Sequence, residues 1–180
     1  MIDNRDADKL ICALAKGDMS ALERLYTELA PAVYAFARSI TKNDESAQDI
    51  MQDTFVRVFN SAGKFKPQGY GKAWIMQIAR NLSINAVTSR VRTEPEDVLA
   101  DCPSPGSTEE STETRVMLEW AMKCLTDAER EVITLHAVSG LKLQQIAQVM
   151  EEPLGTVKWR HSQAMKKIRT AMAAGEEGAL

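Results

Sequence analysis

Glycine is scarce in this 180-residue chain, at 9 residues, and aromatic residues make up only 6%. Few glycines, with abundant Ala, Leu, Met, Gln, Glu and Lys, favour helix over sheet. Cysteine is equally sparse: Cys12, Cys102 and Cys124 are far apart, odd in number and without a CxxC pair. That excludes a disulfide framework and a zinc site. Cys12 and Cys124 fall among helical apolar positions and read as buried thiols, which leaves Cys102 as the redox-accessible one. No apolar run approaches the ~18 residues that span a bilayer. The opening MIDNRDADK is polar and acidic, unlike a secretory signal, so a cytoplasmic protein without membrane insertion is expected. Paired carboxylates in a cleft, a nucleophile triad, a phosphate loop and a metal set are all missing from the pattern. The chain therefore reads as no enzyme, with no cofactor and no metal.

What is present is an uneven distribution of charge. The formal net charge is −3, which alone argues against nucleic acid. Residues 1–92 nevertheless carry 13 basic and 10 acidic side chains, residues 93–111 none and 6, and residues 112–180 carry 9 of each. Within the last segment, 156–170 holds Lys158, Arg160, Lys166, Lys167 and Arg169 and no acid. Five positive charges on one short helix are a credible phosphate-binding footprint.

The stretch from Val91 to Ser111, with three prolines, a glycine and a Ser/Thr/Glu cluster, reads as a flexible linker. It divides an all-α chain into two helical domains: 1–92, then a linker at 93–111, then 112–180. In the first domain, Leu10, Ile11, Leu14 and Ala15 stripe a helix over 6–16. Gly17 fits its stop, and Asp18 can cap the next helix. That next helix carries Leu22, Leu25, Tyr26, Leu29, Val33, Phe36, Ala37 and Ile40, and Pro31 is expected to kink or break it. Asn43 or Asp44 caps a third helix with Ala47, Ile50, Met51, Thr54, Phe55, Val58 and Phe59 as its apolar set. Residues 64–71 form a loop, and a fourth helix follows over about 72–90. The second domain reads as four helices: one over about 114–124, a second capped by Thr126 with Glu129 in a capping box and ended by Gly140, a third over about 143–150, and a fourth starting near Pro153.

The third and fourth helices of the second domain have the form of a helix-turn-helix. Ala147 is the small residue a close crossing needs, and Val157 is the apolar residue that locks the second helix. Val157, His161, Ala164, Ile168 and Ala171 share one face at spacings of three and four. Thr156, Trp159, Arg160, Gln163 and Lys167 share the other. The first set packs and the second can reach base edges and phosphates. Periodicity alone fits equally an amphipathic helix with a solvated basic face.

The run LTDAEREVITLHAVSGLKLQQIAQVMEEPLGTVKWRHSQAMKKI resembles the fourth domain of bacterial RNA polymerase sigma factors of the extracytoplasmic-function class. Its markers are Leu125, Arg130-Glu131-Val132, Gly140-Leu141, Gln145-Ile146-Ala147 and the Pro153 to Arg160 segment. The first domain is similar to the second domain of the same family, through the runs from Ala47 to Val58 and from Ala73 to Leu82. The resemblance implies an alternative sigma factor that binds the polymerase core and directs promoter-specific initiation. It is expected to be monomeric when free and held by an anti-sigma factor. Asp49, Gln52, Asp53, Phe55 and Arg57 would dock on the beta-prime clamp helices of the core, with a core position as the lesser alternative for Phe55. Lys64, Lys66, Tyr70, Lys72, Trp74, Arg80, Asn81, Asn85 and Arg90 would hold the melted minus-ten strand of promoter DNA. Trp74 reads as a core residue first and Tyr70 as a stacking or loop-closing one. Thr156, Lys158, Trp159, Arg160, Gln163 and Lys167 would read the minus-35 duplex, with Arg160 suited to guanine and Gln163 to adenine.

Several positions depart from the family pattern. Glu151 and Glu152 stand where the turn usually has a glycine and an apolar residue, so they either repel phosphate or cap the following helix. His161 replaces a packing residue, and His136, far off in sequence, offers it no metal-binding partner. Gln163 and Met165 replace basic residues, and Val87-Thr88-Ser89 thins an arginine cluster. These losses point either to weak DNA affinity of the free chain, with polymerase supplying the rest, or to an unusual promoter preference, and the flexible linker leads to an expectation of two domains mobile relative to each other. Two other readings stay open: a stand-alone helix-turn-helix regulator, and a sigma mimic that titrates an anti-sigma factor.

Overall fold

A computed structural model describes residues 2–93 and 122–177. Seven α-helices and one short 3₁₀ turn make up these residues, with no strand among them. They are α1 (Asn4–Ala15), α2 (Met19–Thr41), α3 (Asp44–Ser61), α4 (Gly71–Thr93), α5 (Asp127–Ser139), α6 (Leu143–Met150) and α7 (Leu154–Glu177). The linker at 93–111, Cys102 and nearly all of the helix expected over 114–124 lie outside the described residues.

Local chemistry sets the helix ends. The Asp3 carboxylate accepts from the Asp6 amide at 2.8 Å, Asp18 accepts from Ser20 at 3.0 Å and Asn43 accepts from Ser46 at 2.7 Å, opening α1, α2 and α3. Thr126 and Glu129 form the reciprocal capping box of α5, and Gly140 closes that helix in the left-handed region at φ 64°. Pro31 does not break α2, which runs through it without interruption. Its neighbours Leu29, Ala30, Ala32 and Val33 are all buried, and that packing offsets the missing backbone hydrogen bond.

The start of α4 is held by α1. Asp8, only 7% exposed, accepts from the amides of Gly69 at 2.6 Å and Gly71 at 2.5 Å, and Asn4 accepts from Ala73 at 3.1 Å. Three backbone donors of the loop and the first turn of α4 thus find side-chain acceptors on one neighbouring helix. Gly71 is what permits this approach. A Cβ there would stand 2.6 Å from the Asp8 nitrogen and 2.8 Å from the Ala7 carbonyl carbon.

Helices α1 to α4 pack around Ile11, Leu25, Leu29, Val33, Phe36, Val58, Ile75 and Met76, each shielded from solvent. Helices α5 to α7 close over Val132, Leu135, Leu141, Ile146 and Val157. The two cores merge into one apolar cluster, because α5 packs on α2 and α6 packs on α4. The units that the linker composition leaves free to move are thus docked on each other in this structure. Linker composition governs how far apart they can move, while the apolar and polar complementarity of α2 and α4 to α5 and α6 governs whether they dock.

Candidate nucleic-acid interface

Three surfaces correspond to the three groups of expected residues. On α3, Asp49, Gln52, Asp53 and Arg57 are exposed along one side. Phe55 is not with them. It is 5% exposed, and its ring lies 4.9 Å from that of Tyr26 on α2. This corrects its placement as a docking aromatic: position 55 follows Ile50, Ala47 and Val58 inward. The aromatic that α3 does present is Phe59, 47% exposed, together with Val56 at 56%. Phe59 belongs to the apolar set by periodicity but lies at its edge, where no helix among the described residues covers it, whereas Ala47, Ile50, Thr54, Phe55 and Val58 are buried. The mixture of carboxylates and apolar side chains survives the exchange.

The second surface surrounds the loop before α4. Lys64, Lys66, Tyr70 and Trp74 border one cavity of about 470 Å³. Trp74 is half-buried, with its ring 4.9 Å from Phe65. Phe65, Gln68 and Gln77 also line this cavity and were not anticipated. The signal for Phe65 was its place between two lysines in a glycine- and proline-bearing loop. Lys72 does not belong to this group. It is 4% exposed, its Nζ lies 3.4 Å from the Ile2 carbonyl, and burial pulls its pKa below the ordinary lysine value against the attraction of Asp3 and Glu28. This corrects its placement as a DNA contact. Further along α4, Asn81, Asn85 and Arg90 are exposed, whereas Arg80 is turned toward α5, where its guanidinium donates to the Glu131 carboxylate.

The third surface is the helix-turn-helix of α6 and α7. Ile146, Ala147, Val157, Ala164 and Ala171 pack inward as periodicity predicted. Glu151 ends α6 in the left-handed region at φ 56°, and the Glu152 amide donates back to the Ala147 carbonyl at 2.9 Å. A glycine would be unstrained at position 151. Neither glutamate caps α7 with its side chain. Glu151 accepts from Gln77 of α4 at 2.9 Å, and both Glu152 oxygens lie within 2.6 and 2.7 Å of Arg160 Nη1. The expected guanine reader is thus held by a turn carboxylate. Lys167 is likewise held, 2.7 Å from the buried Glu129. Burial alone would raise the Glu129 pKa, but Lys167 and the Thr126 cap outweigh it and hold it below the usual value.

Thr156 and Gln163 are half-buried. Lys158 and Trp159 are exposed, the indole at 61%. Ser162, Lys166 and Arg169 are also exposed, and Lys158, Ser162, Lys166 and Arg169 recur at helical spacing. This face was legible as charge but not residue by residue.

His136 and His161 are far apart in sequence, yet their rings stand 5.2 Å apart, edge to face. Distance in sequence therefore does not keep His136 from His161, although two imidazoles edge to face are not a metal-ligand set. The His136 Nδ1 lies 2.8 Å from the Leu141 carbonyl, which can only accept, so Nδ1 carries the proton. Burial first, and the neighbouring His136 second, push the His161 pKa down. Among the described residues no group of three or more His, Cys, Asp or Glu side chains is placed to hold a metal ion. Cys12 is half-buried and Cys124 is exposed, so the expectation of a buried thiol fails at 124.

Two family models match this architecture in order: Sigma-70 region 2 over residues 25–93 and Sigma-70 region 4 over residues 121–170. The chain belongs to the sigma-70 family of RNA polymerase sigma factors, and its relatives place it in the extracytoplasmic-function class. The ECF RNA polymerase sigma factor SigE of Mycolicibacterium smegmatis is 30% identical to it over 88% of this chain and 65% of its own length. The ECF RNA polymerase sigma-E factor of Haemophilus influenzae is 26% identical over 88% of this chain and 91% of its own. Among solved structures, the sigma factor RpoE of Bartonella quintana, crystallised with the anti-sigma factor NepR, shares the fold with a TM-score of 0.73 at 23% identity. That match covers 84% of this chain and 96% of RpoE. CnrH, solved with the cytosolic domain of CnrY, shares it with a TM-score of 0.69 at 22% identity, over 94% and 98%.

Proposed function

We propose that this chain is a dissociable initiation subunit that docks on the polymerase core and directs it to promoters with minus-ten and minus-35 elements. The observation that carries this reading is the pairing of two family regions with two separate basic surfaces on one chain. One surface is a loop-and-helix cavity suited to unstacked bases, and the other is a helix-turn-helix suited to duplex. The first unit spans about 1–92 and the second about 112–180. In the first, Asp49, Gln52, Asp53 and Arg57 on α3 meet the core clamp, with Val56 and Phe59 supplying the apolar centre. Lys64, Lys66, Tyr70 and Trp74 receive the melted minus-ten strand, and Arg80, Asn81, Asn85 and Arg90 continue its path. In the second, Lys158 and Trp159 reach the minus-35 duplex directly, with Thr156, Gln163 and, once released from their carboxylates, Arg160 and Lys167. The bond-making chemistry is the polymerase's, so the chain itself needs no catalytic residue. The described residues include no helix long and apolar enough to cross a membrane, which fits work on DNA in the cytoplasm. Sequestration by an anti-sigma factor fits this reading too, since two relatives by fold were crystallised with such partners or with a cytosolic domain.

A titration of labelled chain with polymerase core tests the docking. Saturable binding that Asp53→Lys weakens at least tenfold is expected. Core binding without promoter-specific transcripts would favour a sigma mimic. Duplex binding with no core binding would favour a stand-alone regulator.

A further inference from the structure

We propose that Asp8, on α1, is a positioning residue for minus-ten recognition: its buried carboxylate holds the amides on either side of Tyr70 and so fixes that ring for stacking on an unpaired base. This rests on the reading of the strand-binding cavity given above.

The loop before α4 is held from outside. Its two ends have backbone bonds of their own, from the Phe65 amide to the Ala62 carbonyl at 3.1 Å and from the Trp74 amide to the Tyr70 carbonyl at 2.8 Å. Between them stand Pro67, which has no amide hydrogen, and Gly69, in the left-handed region at φ 79°. A glycine there leaves the free loop many accessible shapes. Asp8 selects one of them. Its Oδ2 accepts from the Gly69 amide at 2.6 Å and its Oδ1 from the Gly71 amide at 2.5 Å.

A carboxylate is the side chain suited to this task. Both of its oxygens accept, whereas an amide side chain offers one acceptor atom and one donor. Bonds to a charged acceptor are also the stronger kind. At 7% exposure Asp8 meets little competition from water. The approach is so close that a Cβ on Gly71 would stand 2.6 Å from the Asp8 nitrogen and 2.7 Å from Oδ1. Two glycines and one acid are thus committed to placing the residue between the glycines.

That residue is Tyr70. It is half-buried against the core and borders the cavity with Lys64, Lys66 and Trp74. Trp74 is steadied by its ring contact with Phe65 at 4.9 Å. Tyr70 is steadied through its backbone, by the two bonds to Asp8. An aromatic already in place accepts a base without the entropy cost of ordering the loop. Buried on α1, Asp8 is out of reach of a nucleotide and acts through Tyr70.

The test uses the full chain bound to polymerase core, carrying Asp8→Asn, Tyr70→Ala or both. The probe is a fluorescent single-stranded oligonucleotide with the minus-ten block of a promoter mapped with the parent complex. A set of such oligonucleotides has an abasic nucleotide at each position of the block in turn. Asp8→Asn keeps the shape of the side chain but turns an NH2 group toward one loop amide. Affinity for the intact block should fall about tenfold, the scale of one stacked base. Removing the base that Tyr70 meets should cost the parent about tenfold and cost Asp8→Asn less than twofold. A role in stability alone lowers the active fraction and leaves that ratio at the parent value. In the Tyr70→Ala background Asp8→Asn should change affinity by less than twofold, because both act through one ring. Should Asp8→Asn fold poorly, Gly69→Ala replaces it: the added Cβ meets nothing within 4 Å, yet it strains the left-handed backbone and shifts the loop. The same loss of the abasic ratio is expected there. A parent-like abasic ratio in the folded variant overturns the role of Asp8, and so does full additivity with Tyr70→Ala. If Tyr70→Ala alone weakens strand binding, the reading of the cavity survives that result. Unchanged strand binding by Tyr70→Ala removes both.

Discussion

Replacing Gly71 by alanine should be the most damaging small substitution in the N-terminal unit. The added Cβ would sit 2.6 Å from the Asp8 nitrogen, 2.7 Å from its Oδ1 and 2.8 Å from the Ala7 carbonyl carbon. Two of these atoms are backbone within a packed helix, so relief requires α1 to move by about 0.8 Å to reach ordinary contact. That movement opens the two hydrogen bonds from Gly69 and Gly71 to Asp8, at 2.6 and 2.5 Å. Hydrogen bonds to a charged group are worth about 1.5–3 kcal/mol each. With partial relaxation the loss comes to about 3–5 kcal/mol, against a total stability of about 5–15 kcal/mol for a domain. At a urea slope of ~2 kcal/mol/M the unfolding midpoint should fall by roughly 2 M. Gly63 is the control, since a Cβ there meets nothing within 4 Å and Gly63→Ala should stay within about 0.5 kcal/mol. Asp8→Ala combined with Gly71→Ala should cost less than the sum of the two, because both act through the same contact. A Gly71→Ala variant within 1 kcal/mol of the parent, on the order of a surface change, would refute the close-approach argument.

The α3 correction separates two aromatics: Phe55→Ala should cost about 3–5 kcal/mol of stability in denaturant melts. Phe59→Ala should leave stability nearly unchanged and weaken core polymerase binding about tenfold in an equilibrium titration, the scale of an interface anchor. Freeing Arg160 by Glu152→Gln should raise affinity for a minus-35 duplex by about tenfold, within the ~1–3 kcal/mol of a bidentate guanine contact. An unchanged Kd for that duplex with the fold intact would show that Arg160 does not read it. For the histidine pair the folded His161 pKa lies below its ordinary value. The unfolded chain then binds more protons there, so stability is fully present above about pH 6.5 and declines as pH falls toward the folded pKa. The melting temperature should drop between pH 7.5 and 5.5, and His161→Leu should flatten that dependence.

The helices were legible because their ends carry local chemistry: Asp18, Asn43, the Thr126–Glu129 box and Gly140 all act where their residue types predict. Pro31 does not break α2, as a local rule would allow, because buried side chains on both flanks hold the helix together through it. On α3 periodicity puts both Phe55 and Phe59 in the apolar set, and packing decides between them: Phe55 is buried against Tyr26 while Phe59, at the edge of the stripe, stays exposed. Lys72 looked like a DNA contact because basic residues in a basic loop cluster by sequence. Only the return of α1 across the start of α4 buries it. The carboxylate partners of Arg80, Arg160 and Lys167 come from positions 131, 152 and 129. Pairings over 51 and 38 residues leave no mark in periodicity, and the nearer Glu152 reads from sequence either as a cap or as a repeller of phosphate. The docking of the two units follows the same rule, since it depends on which faces of α2 and α4 remain uncovered after the first four helices pack.

The central claim is that this chain confers promoter choice on a polymerase core. The most direct measurement mixes core with the chain and fragmented genomic DNA from the source organism, then maps the 5′ ends of the transcripts. Discrete start sites that share two sequence blocks, centred near 10 and 35 base pairs upstream, and that vanish when the chain is omitted, are expected. Start sites as scattered as those of core alone, from a chain that is folded and bound to core, would contradict the claim.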